Sequence, residues 1–131
     1  MILAEPSRDP RQALGRLGEA SAEALLERAG LKVVARRFRR RSGEIDLVAE
    51  RGDLIVFVEV KTRRGTGFGT PAEAVTRVKQ ERMARVALAY LQRTGGLERR
   101  TRFDVVEVYV GAGGVPVLNH IEDAFRLDRE P

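Results

Sequence analysis

The chain has 131 residues, no cysteine, one histidine, and 24 Lys and Arg against 19 Asp and Glu, a formal net charge of +5. That length suits one domain, residues 1–131 with a core at about 11–125, and is too short for two independent hydrophobic cores. Without a thiol there is no disulfide framework, thiolate nucleophile or zinc–thiolate site, and His120 alone makes no multi-histidine centre, so any metal must be held mostly by oxygen.

The first twelve residues, MILAEPSRDPRQ, lack the apolar core of a signal peptide, and the longest apolar run, residues 54–58, is far below a membrane span. A cytoplasmic protein with no membrane association is expected. Asp9 before Pro10 reads as a cap and a first-turn proline, opening a helix that runs to about Ala29 and stops at Gly30. Leu14, Leu17, Ala20 or Ser21, Ala24, Leu25 and Arg28 predict its buried stripe, and the small residues Gly15, Gly18, Ala20, Ser21 and Ala22 predict close packing on a sheet. Residues 31–38 predict a Val-rich strand with a basic far end. Residues 44–50 and 54–61, separated by Arg51-Gly52-Asp53, predict a β-hairpin. Residues 62–70, TRRGTGFGT, predict a loop.

Thr70, Pro71 and Glu73 predict a capped second helix running to about Arg93. Its apolar face is Ala74, Val75, Val78, Met83, Val86, Ala87, Tyr90 and Leu91, with Arg77, Lys79, Arg82 and Arg85 on the remainder. Thr94-Gly95-Gly96 ends it, and strands follow at residues 102–110 and 115–121. The order αβββαββ predicts an α/β fold with a mixed central sheet and one helix on each face.

Only Lys32, Lys61 and Lys79 are lysines, so 21 of the basic residues are arginines, whose planar fork of donors matches phosphate. Lys32, Arg36, Arg37, Arg39, Arg40 and Arg41 form a run without an acid, the footprint expected of a phosphate-backbone partner, although a GC-rich or thermophilic source also raises arginine. With 5% aromatic residues and no tryptophan, base-stacking platforms are sparse.

Two hairpin strands each carry a carboxylate inside an apolar run, Asp46 in GEIDLV and Glu59 in FVEVK. Such charges persist where they pair, bind metal or work. If Gly52-Asp53 is a two-residue turn, Arg51 pairs with Leu54, Asp46 lies opposite Glu59 and Glu44 opposite Lys61, with all four side chains on one face. Asp46, Glu59 and the carbonyl between Glu59 and Lys61 would then form an oxygen cage for Mg²⁺ or Mn²⁺, with Lys61 orienting the attacking water or neutralising transition-state charge. A satisfied ion-pair cluster inside the sheet is the alternative at this level. Thr62, Arg63 and Arg64 open a basic loop suited to a phosphate backbone, and Lys79 is a candidate phosphate contact. His120 reads as structural, and Asp104 as the partner of an arginine.

The helix bearing Gly18-Glu19, followed by Gly43-Glu44-Ile45-Asp46 and Phe57-Val58-Glu59-Val60-Lys61, resembles the PD-(D/E)XK nuclease superfamily. More closely the chain resembles the YraN family of small bacterial proteins of uncharacterised function. That similarity runs from about Gly15 to Phe125 and includes Phe68-Gly69, Lys79, Arg102-Phe103-Asp104-Val105-Val106 and Asn119-His120-Ile121-Glu122-Asp123-Ala124-Phe125. Ile45 stands where the name-giving motif has proline. The resemblance implies a restriction endonuclease-like αβββαβ core with Asp46, Glu59 and Lys61 as the catalytic set and Glu19 as a further acid. It implies a metal-dependent endonuclease acting on DNA ahead of RNA, including branched or structured DNA. A nucleic-acid-binding module that keeps the fold without turnover is the alternative. Cutting two strands needs two sites, which makes a homodimer plausible, although no stretch of sequence marks an interface.

Overall fold

The carboxylate of Asp9 accepts from the Arg11 amide at 2.9 Å and so caps helix α1 (Pro10–Arg28) one residue ahead of its proline. The computed structural model describes residues 9–65 and 75–126. Gly30, at φ +85°, turns the chain out of α1 into strand β1 (Lys32–Arg40). Strands β2 (Gly43–Arg51), β3 (Leu54–Arg64), β4 (Arg100–Val110) and β5 (Pro116–Ile121) complete a five-stranded sheet in the order β1-β2-β3-β4-β5. Only β3 and β4 run parallel, and helix α2 (Arg77–Thr94) lies between them in sequence as a crossover. The result is a mixed sheet with α1 on one face and α2 on the other, as the element order predicts. Among the described residues no helix is long and apolar enough to cross a membrane.

Two boundaries differ from expectation. β3 runs on through Thr62, Arg63 and Arg64, because these residues pair in parallel with Val108, Tyr109 and Val110. α2 starts at Arg77, capped by Thr76, whose hydroxyl accepts from the Lys79 amide at 3.2 Å. Thr70, Pro71, Glu73 and Ala74, with Phe68-Gly69, lie outside the described residues.

The buried stripe of α1 is also displaced from the expected one. Gly18, Ala22 and Leu26 are buried with Leu14 and Leu25 partly so, while Leu17 is 39% exposed. The smallest residues sit at the centre because a Cβ on Gly18 would collide with the Thr62 side chain. The missing side chain therefore sets how closely α1 approaches β3. Ala22 and Leu26 pack with Leu47, Ala49, Val56, Val58, Val106 and Val108 on that face. Val86, Ala87 and Leu91 of α2 cover Ile45, Val48, Ile55 and Phe57 on the other.

Strict alternation fails at two places, the first a register shift between Val33, which packs on the α1 side, and Ala35, which packs on the α2 side. Leu47 and Ala49 face α1 and Val48 faces α2, as a period of two requires, yet Ile45 also faces α2. On β1, Ala35 and Phe38 both pack toward α2 despite opposite parity, and Arg37 between them has φ +50°. The β1–β2 pairing runs Arg36–Leu47 and then Phe38–Ile45. Both strands thus change face across Arg37 and Asp46 with the register unchanged, a second irregularity beyond the shift at Val33 and Ala35.

At the far edge Asp104, wholly buried, binds four donors. Arg102 Nε and Nη2 lie at 2.8 Å, His120 Nε2 at 2.7 Å and the Asp123 amide at 2.9 Å. Asp104 is the partner of an arginine, as the sequence predicts, and His120 joins it, a pairing the sequence reading does not contain. Burial raises the Asp104 carboxyl, but the hydrogen bonds from His120, Arg102 and Asp123 outweigh it and leave the group below its ordinary value. This carboxylate pins residues 122–126 against β4, where the Ala124 amide also donates to the Phe103 carbonyl at 2.8 Å.

Gly18→Ala should lower stability by about 1–3 kcal/mol through overpacking against Thr62. Gly15→Ala, whose Cβ meets nothing within 4 Å, should raise it by up to about 1 kcal/mol; thermal melts of the two variants distinguish them. The depressed Asp104 carboxyl contributes stability that is complete above its unfolded value near 3.8 and is lost as pH falls through the lower folded value. Acid unfolding curves should therefore flatten below pH 4 in Asp104→Asn relative to wild type.

Candidate active site

The break at Asp46 builds the site. The β2–β3 ladder follows the expected register from Arg51–Leu54 as far as Leu47–Val58 and ends there. At the next position the Val60 amide donates to Asp46 Oδ2 at 2.8 Å, so a side chain takes the place of the ladder carbonyl. Asp46 lies in a cavity of about 360 Å³ together with Glu59, Val60, Lys61 and Thr62 of β3 and Leu14, Gly15 and Glu19 of α1. The structure brings together Asp46, Glu59, Lys61 and Glu19 as the sequence and its resemblance predict, but not through the expected shared face. Glu44 leaves the group, with Arg39 Nε at 3.1 Å from its carboxylate. The change of face along β2 explains the departure.

Burial pushes the Asp46 carboxyl up, and the neighbouring Glu59 charge adds to it against the Val60 hydrogen bond, bringing it to about 7. Glu59, 5% exposed, receives Lys79 Nζ of α2 at 2.5 Å from Oε1. Burial pulls Lys79 down, but the Glu59 hydrogen bond and charge outweigh it and leave its ammonium above the ordinary value. Lys61 is held below its ordinary value by burial first and by the Lys79 charge second. One lysine is thus fixed as a cation on Glu59, while the other is biased toward losing its proton.

Glu19 reaches Arg37 Nη2 at 2.9 Å, which the left-handed backbone of Arg37 makes possible from β1. The predicted arginine run is largely engaged within the chain. Arg36 Nη2 lies 2.5 Å from Glu23, Arg39 is on Glu44, and Arg40 sits 4.3 Å over the Phe38 ring while donating to the Arg39 carbonyl. Arg41, Arg63 and Arg64 are exposed. The sequence reading passes over Glu107. It is 2% exposed, in register with Lys61 across β3–β4, and accepts from Asn119 Nδ2 at 3.0 Å. Its signal was the one that marked Asp46 and Glu59, a lone acid in an apolar strand.

Among the described residues no three His, Asp or Glu side chains converge as a ready metal-binding group. The donor set is instead two carboxylates, Asp46 and Glu59, plus the Val60 carbonyl. That carbonyl faces the gap because the N–H and C=O of one strand residue point to the same side and the Val60 N–H is on Asp46. Two carboxylates and a carbonyl, with other positions left to water and phosphate oxygens, suit hard Mg²⁺ or Mn²⁺. The Asp46 carboxyl is raised first by burial and second by the Glu59 charge, and the Glu59 part is what a divalent cation would relieve.

A model of the family described as "Uncharacterised protein family UPF0102" matches residues 18–108, a span that contains Glu19, Asp46, Glu59, Lys61 and Lys79. The chain is 50% identical over 113 residues to a UPF0102 protein of Rhodococcus jostii strain RHA1, covering 86% of this chain and 96% of the relative. It is 51% identical over 112 residues to one from Symbiobacterium thermophilum, covering 86% and 95%. A third, from Geobacter sulfurreducens, is 46% identical over 114 residues, covering 87% and 89%.

The elevated Asp46 value has a stability consequence whose sign is opposite to that of Asp104. Between the unfolded value of 3.8 and about 7 the folded chain holds a proton that the unfolded chain releases, so ionising Asp46 costs the fold progressively more as pH rises. Asp46→Asn keeps an acceptor for the Val60 amide and removes the charge. In EDTA it should therefore raise the melting temperature little at pH 4 and increasingly up to about pH 7, with the gain constant above that.

Proposed function

The chain belongs to the UPF0102, or YraN, family, and on that premise we propose that it is a metal-dependent endonuclease hydrolysing phosphodiester bonds in DNA, including branched or structured DNA. The observation that carries this reading is the pair of half-buried Asp46 and buried Glu59, opened between two strands and served by two lysines. The order α1-β1-β2-β3-α2-β4 is also the αβββαβ order that the PD-(D/E)XK resemblance implies, and it supports a restriction endonuclease-like core.

Asp46, Glu59 and the Val60 carbonyl would hold Mg²⁺ or Mn²⁺, which supplies Lewis acidity toward a phosphate oxygen. Asp46 is fixed by the Val60 amide, so its carboxylate is oriented before substrate arrives. Lys61, beside the carboxylates and biased toward the neutral amine, orients the attacking water or offsets charge on the phosphoryl oxygens. Lys79 is ion-paired to Glu59 and presents a second cation at the site. Glu19, held by Arg37, stands on the α1 wall as a water-positioning acid.

One observation favours a second reading, a nucleic-acid-binding module without turnover. Lys79 already neutralises Glu59, and no third carboxylate joins the pair closely enough to complete a ready cage among the described residues.

The two readings separate in a cleavage assay on branched DNA, duplex DNA and RNA with Mg²⁺ or Mn²⁺. The nuclease reading expects DNA cleavage that falls by about a hundredfold or more in each of Asp46→Asn, Glu59→Gln and Lys61→Ala. Cleavage untouched by all three overturns the site. Binding with a steep salt dependence, no cleavage and no heat of divalent-ion binding selects the second reading.

A further inference from the structure

The carboxylate cleft is a poor place to collect a polyanion by itself, since it holds Glu19, Asp46 and Glu59, and the Arg37 and Lys79 cations beside it are already engaged by Glu19 and Glu59. A second cavity has the opposite character. A groove of about 1020 Å³ lies along the flank of α2 and the leading half of β4, lined by six arginines against two acids, Glu81 and Asp123. We propose that this groove binds the phosphate backbone of nucleic acid, an inference that takes from the proposed function only that nucleic acid is the partner.

Placement argues for it. At one end are Arg77, Glu81 and Arg85 on one flank of α2, the flank away from Lys79 and Arg82. At the other end are Leu54 and Arg100, a register pair of β3 and β4. Leu54 precedes Glu59 by five residues along β3, roughly 17 Å, so the groove is a surface separate from the carboxylate cleft. A groove lined by arginines from α2 to the start of β4 suits a chain of phosphates rather than a single anion.

Arg51, Arg102 and Arg126 are engaged by the Ala29 carbonyl, Asp104 and Asp123, and the other three supply the available donors. Arg77 and Arg100 are 65% and 72% exposed, and their ion pairs with Glu81 and Asp53, each at 3.4 Å, are surface pairs of small worth. Arg85 is exposed, with no acidic partner among the described residues. The opposite wall is pre-built. Buried Asp104 grips Arg102 with both oxygens and the Asp123 amide with one of them, while Phe103 and Phe125 stack with centroids 4.8 Å apart. Asp123 adopts φ +52°, a conformation that the pinned turn imposes. The groove is thus a fixed shape, and its recognition is of backbone rather than base.

The test measures binding of a fluorescein-labelled DNA 20-mer, single-stranded and duplex, to full-length Asp46→Asn protein in EDTA across a salt series, so that cleavage cannot intervene. Arg85→Ala/Arg100→Ala is compared with Arg28→Ala/Arg93→Ala, exposed arginines outside the groove that change net charge equally. The groove pair should weaken binding by about tenfold near physiological salt and reduce the salt slope by between about 1.4 for single strands and 1.8 for duplex. The control pair should leave both largely unchanged. Equal losses in the two double variants, or no DNA binding even at low salt, overturn the proposal. Loss confined to the groove pair supports it whether or not the wild-type protein cleaves DNA. Wild-type cleavage with indistinguishable doubles overturns the groove and leaves the nuclease reading standing.

Discussion

The hydrogen bond from the Val60 amide to Asp46 Oδ2 is the constraint on which the site depends. A side-chain acceptor in a strand normally faces away from the ladder, and reaching the ladder amide requires the backbone to rotate out of register. Here both β1 and β2 rotate at the same level, Arg37 through a left-handed conformation and Asp46 beside it. The rotation has two products. It sends Arg37 to Glu19 on α1, and it places a carboxylate in the opening between β2 and β3. Without it, Asp46 would lie beneath α2 with Val48 and Phe57, where a charge has no access to a substrate.

The opening is electrostatically unfinished in a directed way. Asp46 is held near neutrality in its titration by burial and by Glu59, and Glu59 has Lys79 as its partner. The two lysines are consequently unequal. Lys79 is committed to the carboxylate, and its charge, after burial, lowers Lys61. Such divergence between adjacent groups of one type is how a site assigns different roles to chemically identical side chains. It also destabilises the fold locally, the usual signature of residues retained for chemistry rather than packing.

Much of the architecture was legible because it follows from local rules. Asp9-Pro10, Gly30, the Gly52-Asp53 turn and Thr94-Gly95 each impose a backbone state wherever they occur, and the hairpin register follows from the turn. The site was legible in its members, because an acid in an apolar strand is conspicuous, but not in its geometry. Alternation predicts one face for Asp46, Glu59, Glu44 and Lys61, and a paired change of face carries no sequence mark of its own at Arg37 and Asp46. The displaced stripe of α1 failed for a related reason. Periodicity ranks residues by hydrophobicity, whereas contact at Gly18 is decided by what a Cβ would strike on Thr62, thirty-two residues beyond Gly30 in a different element.

The arginine excess divides in the same way, by tertiary partners that composition does not display. The run in β1, the most concentrated in sequence, is largely neutralised at home, with Arg36, Arg37 and Arg39 each on a glutamate of α1 or β2. The arginines around α2 and β4 come from separate segments and form no run, yet they converge on one groove. Field strength at a surface depends on charges left unpaired there, not on their spacing along the chain. In the groove Arg102 and Arg126 are held by Asp104 and Asp123, so the charge it offers comes from Arg77 and Arg100, whose pairs are exposed, and from Arg85.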